Sequence, residues 1–160
     1  MLTPRKMALN TILYTGEQAR SFAGVSPEAW RHWRKVVGRL AAKTGKTARF
    51  SVGELIALTV VASAVSTLNV GIAGFAERWN ELFELCAQQR PSNLRSAFVI
   101  VTAEKVELVD SDRLGRDKPA IVIPCAPIVD RLWTAAFSDV PDQAQAPLPF
   151  APHAVGRASR

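Results

Sequence analysis

The chain has 160 residues, 48% of them hydrophobic, which suits one good core or two small ones sharing a joint and excludes disorder over most of the length. Its formal net charge of +6 is lopsided: residues 1–50 carry ten Lys/Arg against two Glu, and residues 51–160 carry ten against twelve acids. The excess directs attention to a polyanionic partner for the first third, nucleic acid before a membrane surface, with a solubilising basic arm as the ordinary alternative.

Residues 1–13 read as a loose lead-in without the continuous apolar stretch of a signal peptide, so a cytoplasmic protein is expected. Thr15 and Gln18 form a capping box that opens a helix to about Phe22, with Ala19, Phe22 and Ala23 turned inward. Gly24 suits a sharp corner. Ser26 then caps a second helix with Pro27 at its first position and Glu28 near its positive end. Trp30, Trp33 and Val37 recur at helical spacing as its buried face, leaving Arg31, His32, Arg34 and Lys35 on or beside the exposed one. From Gly38 to Phe50 the pattern predicts a small basic hairpin, two extended arms around Lys43-Thr44-Gly45-Lys46.

A second capping box, Ser51 with Glu54, opens a helix over about Val52 to Thr67. A break near Leu68-Asn69-Val70-Gly71 leads to a further helix ending around Gln88. In it Ile72, Phe75, Trp79, Leu82 and Cys86 follow a three-four alternation, which makes either core or a seam with a second subunit. The uncharged run from Leu55 to Phe75 is long enough to span a bilayer. Its Thr59, Ser63, Ser66, Thr67 and Asn69 suit two buried helices joined at a break better than one lipid-facing rod.

After residues 90–93 the period changes. "SAFVIVT" and "KVELV" read as a hairpin turning around Ala103-Glu104, "DSDRLGRDKP" as a polar loop and "AIVIPC" as a third strand. "PIVDRLWTAAF" is a helix with Ile128, Leu132, Trp133 and Ala136 on one face, and the proline-rich stretch from Val140 onward is a mobile tail. Cys86 and Cys125 have no His or Cys at ligand spacing and read as buried thiols of a reducing compartment, neither disulfide nor zinc ligands. The expected fold is mainly α, of α+β type. Residues 1–50 form a winged helix-turn-helix and 51–90 a helical pair for core or dimerisation; a small α+β module over 94–138 and a flexible tail over 139–160 follow.

The order helix, glycine corner, basic helix, basic hairpin has a physical logic. The major groove of B-DNA admits one α-helix; a bracing helix crosses the phosphates, and a wing lies along the neighbouring backbone. These residues resemble the winged helix-turn-helix of MerR-type regulators. That family typically shows a Tyr-Thr start, an "A…GVS" corner, an aromatic "RYYE" stretch and a wing ending "YR-Y" before an acidic helix cap. Tyr14-Thr15 matches the start, Gly24-Val25-Ser26 the corner, Arg31-His32-Trp33 the Arg-aromatic-aromatic and Arg49-Phe50-Ser51 the close of the wing, over roughly residues 13–60. The resemblance implies DNA binding through Ser26, Arg31 and His32 on the recognition helix and Arg49 at the wing. Arg34 stands where the family carries an acid, the exit reads "VVGRL", and the cysteine set of metal-sensing members is missing, so promoter untwisting and ligand sensing are not carried over.

The expected DNA-binding set is Thr15, Gln18, Ser26, Arg31, His32, Arg34, Lys35, Arg39, Lys43, Lys46 and Arg49; the expected dimerisation set is Ile72, Phe75, Trp79 and Leu82. The sequence contains no Gly-rich phosphate loop, nucleophile elbow or metal-ligand spacing, and Asp110, Asp112 and Asp117 read as turn residues. No enzymatic activity, cofactor or metal is therefore expected. The expected function is a sequence-specific, double-stranded DNA-binding transcriptional regulator, nucleoid-associated and homodimeric on an inverted repeat. Its C-terminal module either completes the dimer core or docks RNA polymerase or a second regulator. Excisionases and phage terminase small subunits share the winged module, so a packaging or recombination-directionality factor is the alternative. A protein-interaction adaptor, attached to a membrane through residues 55–75, is a third reading.

Overall fold

A computed structural model describes residues 12–115 and 117–138. The lead-in up to residue 11 and the tail over 139–160 lie outside the described residues. The fold is α+β with two small antiparallel sheets. Its elements are β1 (Leu13–Thr15), α1 (Gly16–Ala23), α2 (Pro27–Val36), α3 (Gly38–Ala42), β2 (Arg49–Ser51) and α4 (Val52–Thr67). They are followed by α5 (Ala76–Ala87), α6 (Pro91–Arg95), β3 (Ala97–Val101), β4 (Val106–Asp110), β5 (Ile121–Pro124) and α7 (Ala126–Ser138).

The centre is α4. Both halves of its capping box are present: the Ser51 hydroxyl accepts from the Glu54 amide at 3.2 Å, and the Glu54 carboxylate accepts from the Ser51 amide at 2.8 Å. A helix apolar on every side has to be covered on every side, and α4 is buried from Val52 through Ala62 and again at Ala64. It packs on α1, α5, α7, β1, β2 and β5. Its two polar interior residues are satisfied locally, Thr59 by donating its hydroxyl to the Leu55 carbonyl at 2.8 Å and Glu54 by its cap. At Gly53 the α4 backbone meets the Cys86 carbonyl of α5 so closely that a methyl group would overlap it. The long uncharged run is indeed broken. After α4 ends, Asn69 takes a left-handed φ of 55°, and among the described residues no helix is long and apolar enough to cross a membrane.

One buried cluster runs from Ala19 to Leu132, so the segments 1–50, 51–90 and 94–138 share a core. The three-stranded sheet has order β4-β3-β5, with Val99 opposite Leu108 on one side and opposite Ile123 on the other. The hairpin, the third strand and the last helix fall where the sequence pattern places them.

Some expectations need correction. The hairpin over Gly38–Phe50 does not form. Its first arm is helical, as α3, because Val37 and Leu40 must both reach the core and Asn80 of α5 accepts the Arg39 amide at 2.8 Å. The second arm, β2, pairs instead with β1, with Tyr14 opposite Phe50, so Leu13 belongs to a strand and not to a lead-in. The stripe is core: Trp79 and Leu82 of α5 are fully buried because α4 of the same chain occupies that face, and of the two residues that precede α5, Ile72 is nearly buried and Phe75 partly covered. Those buried side chains are therefore not a seam for a second subunit. Between α5 and the second sheet, Pro91 occupies the first position of α6 and is buried with Leu94.

Substituting Gly53→Ala should destabilise the protein by about 1–3 kcal/mol, because the overlap is with backbone and the two helices must separate. Ala57→Gly, elsewhere on α4, should cost about 1–2 kcal/mol through helix propensity and the loss of one buried methyl group. Chemical denaturation of both variants checks this; a smaller loss for Gly53→Ala would show that the crossing is loose.

Candidate nucleic-acid interface

The site is built on α1, the corner and α2. Thr15 and Gln18 form the expected capping box: the Thr15 hydroxyl accepts the Gln18 amide at 3.2 Å and the Gln18 side chain accepts the Thr15 amide at 2.9 Å. Each side chain is thereby tied to the other residue's backbone at the helix start. At the corner Gly24 adopts φ 72°, where an L-residue with a Cβ is strained. The amides of Gly24 and Val25 return to the carbonyls of Ser21 and Arg20, each at 3.1 Å. Arg20 adds a brace by donating to the Val25 carbonyl at 2.7 Å while it pairs with Glu17. The hydrogen bonds that Arg20 donates to the Glu17 carboxylate, with the guanidinium charge behind them, hold that carboxyl below the usual carboxylate range.

Ser26 caps α2 by accepting the Ala29 amide at 3.1 Å, with Pro27 in the first turn. Trp33 and Val37 sink into the core, and half-buried Trp30 meets Phe50 of β2 with ring centroids 5.9 Å apart. The helix is thus fixed along one side. Arg31, His32 and Lys35 are exposed on the other, and the four-residue spacing stacks Arg31 and Lys35 on one face. Arg31 also donates its Nε to the Pro27 carbonyl at 3.3 Å, which aligns it along the helix. Arg34 and Arg39 are half-buried, and the Nε of each is enclosed without a hydrogen-bond partner among the described residues.

The turn after α3 contains the remaining expected cations, and it uses them unequally. Lys43 is spent internally: its ammonium donates to Glu54 at 2.8 Å and to the Arg49 carbonyl, and sits 5.1 Å from the centre of the Phe50 ring. It is a brace between the turn and the start of α4. The ammonium reaches the same Glu54 oxygen that the Ser51 amide caps, so it adds a countercharge to a carboxylate already hydrogen-bonded by the capping box. Arg49 folds back on the turn, donating to the carbonyls of Lys46 and Ala48 at 2.8 and 2.9 Å, yet stays exposed. Lys46 is exposed with no ion pair among the described residues. The Trp30–Phe50 contact sets β2, which begins at Arg49, against the buried side of α2, whose other side carries Arg31, His32 and Lys35.

Elsewhere the described residues contain no group of His, Cys, Asp or Glu arranged to hold a metal ion; Asp110, Asp112 and Asp117 stand exposed on their loop. The two cysteines are free and buried. Burial pushes the Cys86 thiol far up and the Cys125 thiol up to about 11. Three residues that matter to the corner or the exit of α2 carried no expectation: Arg20, Asn80 and Arg131. Compared with known proteins, the chain matches no family, no curated protein and no solved structure.

With both thiol pKa values raised, the thiolate fraction at about pH 8 is on the order of a thousandth or less for either cysteine. Neither should react measurably with iodoacetamide in the native protein, and both should react once denaturant exposes them. Mass spectrometry of the alkylated protein checks this; modification of the folded chain would show that the core around α5 opens.

Proposed function

We propose that the protein binds double-stranded DNA sequence-specifically by placing α2 in the major groove and acts as a transcriptional regulator. The observation that carries this reading is the two-sided character of α2: one side anchored by Trp33, Val37 and Trp30, the other presenting Arg31, His32 and Lys35 to solvent. A groove about 12 Å wide takes such a helix, and guanidinium and imidazole groups suit the acceptors on guanine. The short turn with Lys46 and Arg49 takes the place of a hairpin wing and lies against phosphates. The likeness to MerR-type regulators at Tyr14-Thr15, Gly24-Val25-Ser26 and Arg31-His32-Trp33 supports the same reading.

Binding as a homodimer on an inverted repeat would double the short base contact of one α2. The dimer surface would lie outside the α5 stripe, whose Trp79 and Leu82 are spent within the chain. The carboxy-terminal strands and α7 then offer a surface for RNA polymerase or a second regulator. A packaging or recombination-directionality factor is the second reading. It is favoured by one observation: α4, which follows the basic region, is enclosed by the chain itself. Genome-wide occupancy separates the two, since a regulator marks promoters and a packaging factor marks one locus.

Arg31→Ala should cost about 1–3 kcal/mol on the preferred site and relax the base preference there. Lys46→Ala should weaken all duplexes evenly and lower the log–log salt slope by about one. Lys43→Ala should leave that slope unchanged and instead lower the unfolding midpoint, because its ammonium serves Glu54. Fluorescence anisotropy across a salt series, together with thermal unfolding, reads all three; unaltered DNA affinity in both Arg31→Ala and Lys46→Ala removes the proposed surface.

A further inference from the structure

The last four carbonyls of an α-helix have no partner within it. At the end of α1 the Arg20 and Ser21 carbonyls are taken by the corner amides, and the next one, Phe22, is not. Its partner comes from the other end of the fold: Arg131 of α7 donates to the Phe22 carbonyl at 2.9 Å. The same guanidinium lies over the Phe22 ring, 4.5 Å from its centre. One planar cation thus grips both the backbone and the side chain of the residue two before Gly24. Arg20 holds the far side of the corner through the Val25 carbonyl.

We propose that Arg131 is a positioning residue for the cationic helix: by capping α1 and stacking on Phe22 it fixes the angle of the Gly24 corner and ties the carboxy-terminal module to the direction in which α2 points. This rests on the reading of α2 as the DNA-contacting helix. An arginine suits the role better than a lysine, because its guanidinium spreads several donors over a broad plane and can serve a carbonyl and a ring face together. A positively charged group at a helix C-terminus is also favoured by the helix dipole. Arg131 is exposed, so replacing it opens no cavity in the core. Movement of α7, for example on docking a partner, would reach α2 through this contact.

The test has two arms, both run on the full chain. The first is hydrogen exchange of the Gly24 and Val25 amides, which close the corner, in the free protein. In Arg131→Ala and in Phe22→Leu they should exchange about tenfold faster than in the parent, while the amides of α4 keep their protection. Arg131→Lys should restore part of the difference. Unchanged exchange at the corner, or acceleration spread evenly over α4 as well, overturns the proposal. The second arm measures binding to a mixed-sequence duplex and to the best selected duplex across a salt series. Arg131→Ala should lower the preference for the selected duplex about three- to tenfold and leave the salt slope as it is. A slope reduced by about one would make Arg131 a phosphate contact and also overturn the proposal. If the parent protein binds no duplex at all, the DNA reading fails while the exchange arm still decides whether Arg131 holds the corner.

Discussion

A sixteen-residue helix with no polar face must be wrapped on all sides, and in this protein the wrapping of α4 sets the position of nearly everything else. Its start is pinned by Ser51 and Glu54, and its second residue, Gly53, brings α5 to backbone contact. The α1 helix, both short strands, α7 and β5 all lie on it. Because the amino-terminal and carboxy-terminal elements close over the same helix, the segments of the chain share one apolar cluster.

That arrangement explains how a strongly basic first third divides its charge. Cations near the start of α4 are drawn into satisfying groups that burial has left in need of partners: Lys43 answers Glu54, and Arg20 answers the corner. Cations on the side of α2 turned away from the core have no such demand on them. Arg31, His32 and Lys35 are therefore left facing water. The same physical cause, the need to satisfy groups left by burial, engages Lys43 and leaves α2's outer side available.

Local features were legible in the sequence because their physics is local. Both capping boxes, the Ser26 cap with Pro27, the left-handed Gly24 and the break at Asn69 depend on residues within three or four positions of one another. The antiparallel pairing of β3 and β4 was legible for the same reason, since few residues separate the two runs. Where a partner lies far along the chain, pattern alone misled. The expected hairpin failed because β2 had a better partner in β1 and because Leu40 had to reach the core. The α5 stripe looked the same as core or as seam, since a periodicity records that a face is covered and not by which chain.

By itself, then, the sequence determined the capped starts of α1, α2 and α4, the corner, the alternation of the second sheet and the concentration of positive charge before residue 50. Only the tertiary structure decided which of those charges remain free, which strand completes β2, and that a guanidinium from α7 closes the end of α1. The reason is the range of the interactions. Caps and turns are settled by neighbours a few residues away, whereas strand pairing, burial of a helix face and the matching of an orphaned carbonyl or carboxylate depend on groups brought together from as far as 109 residues apart.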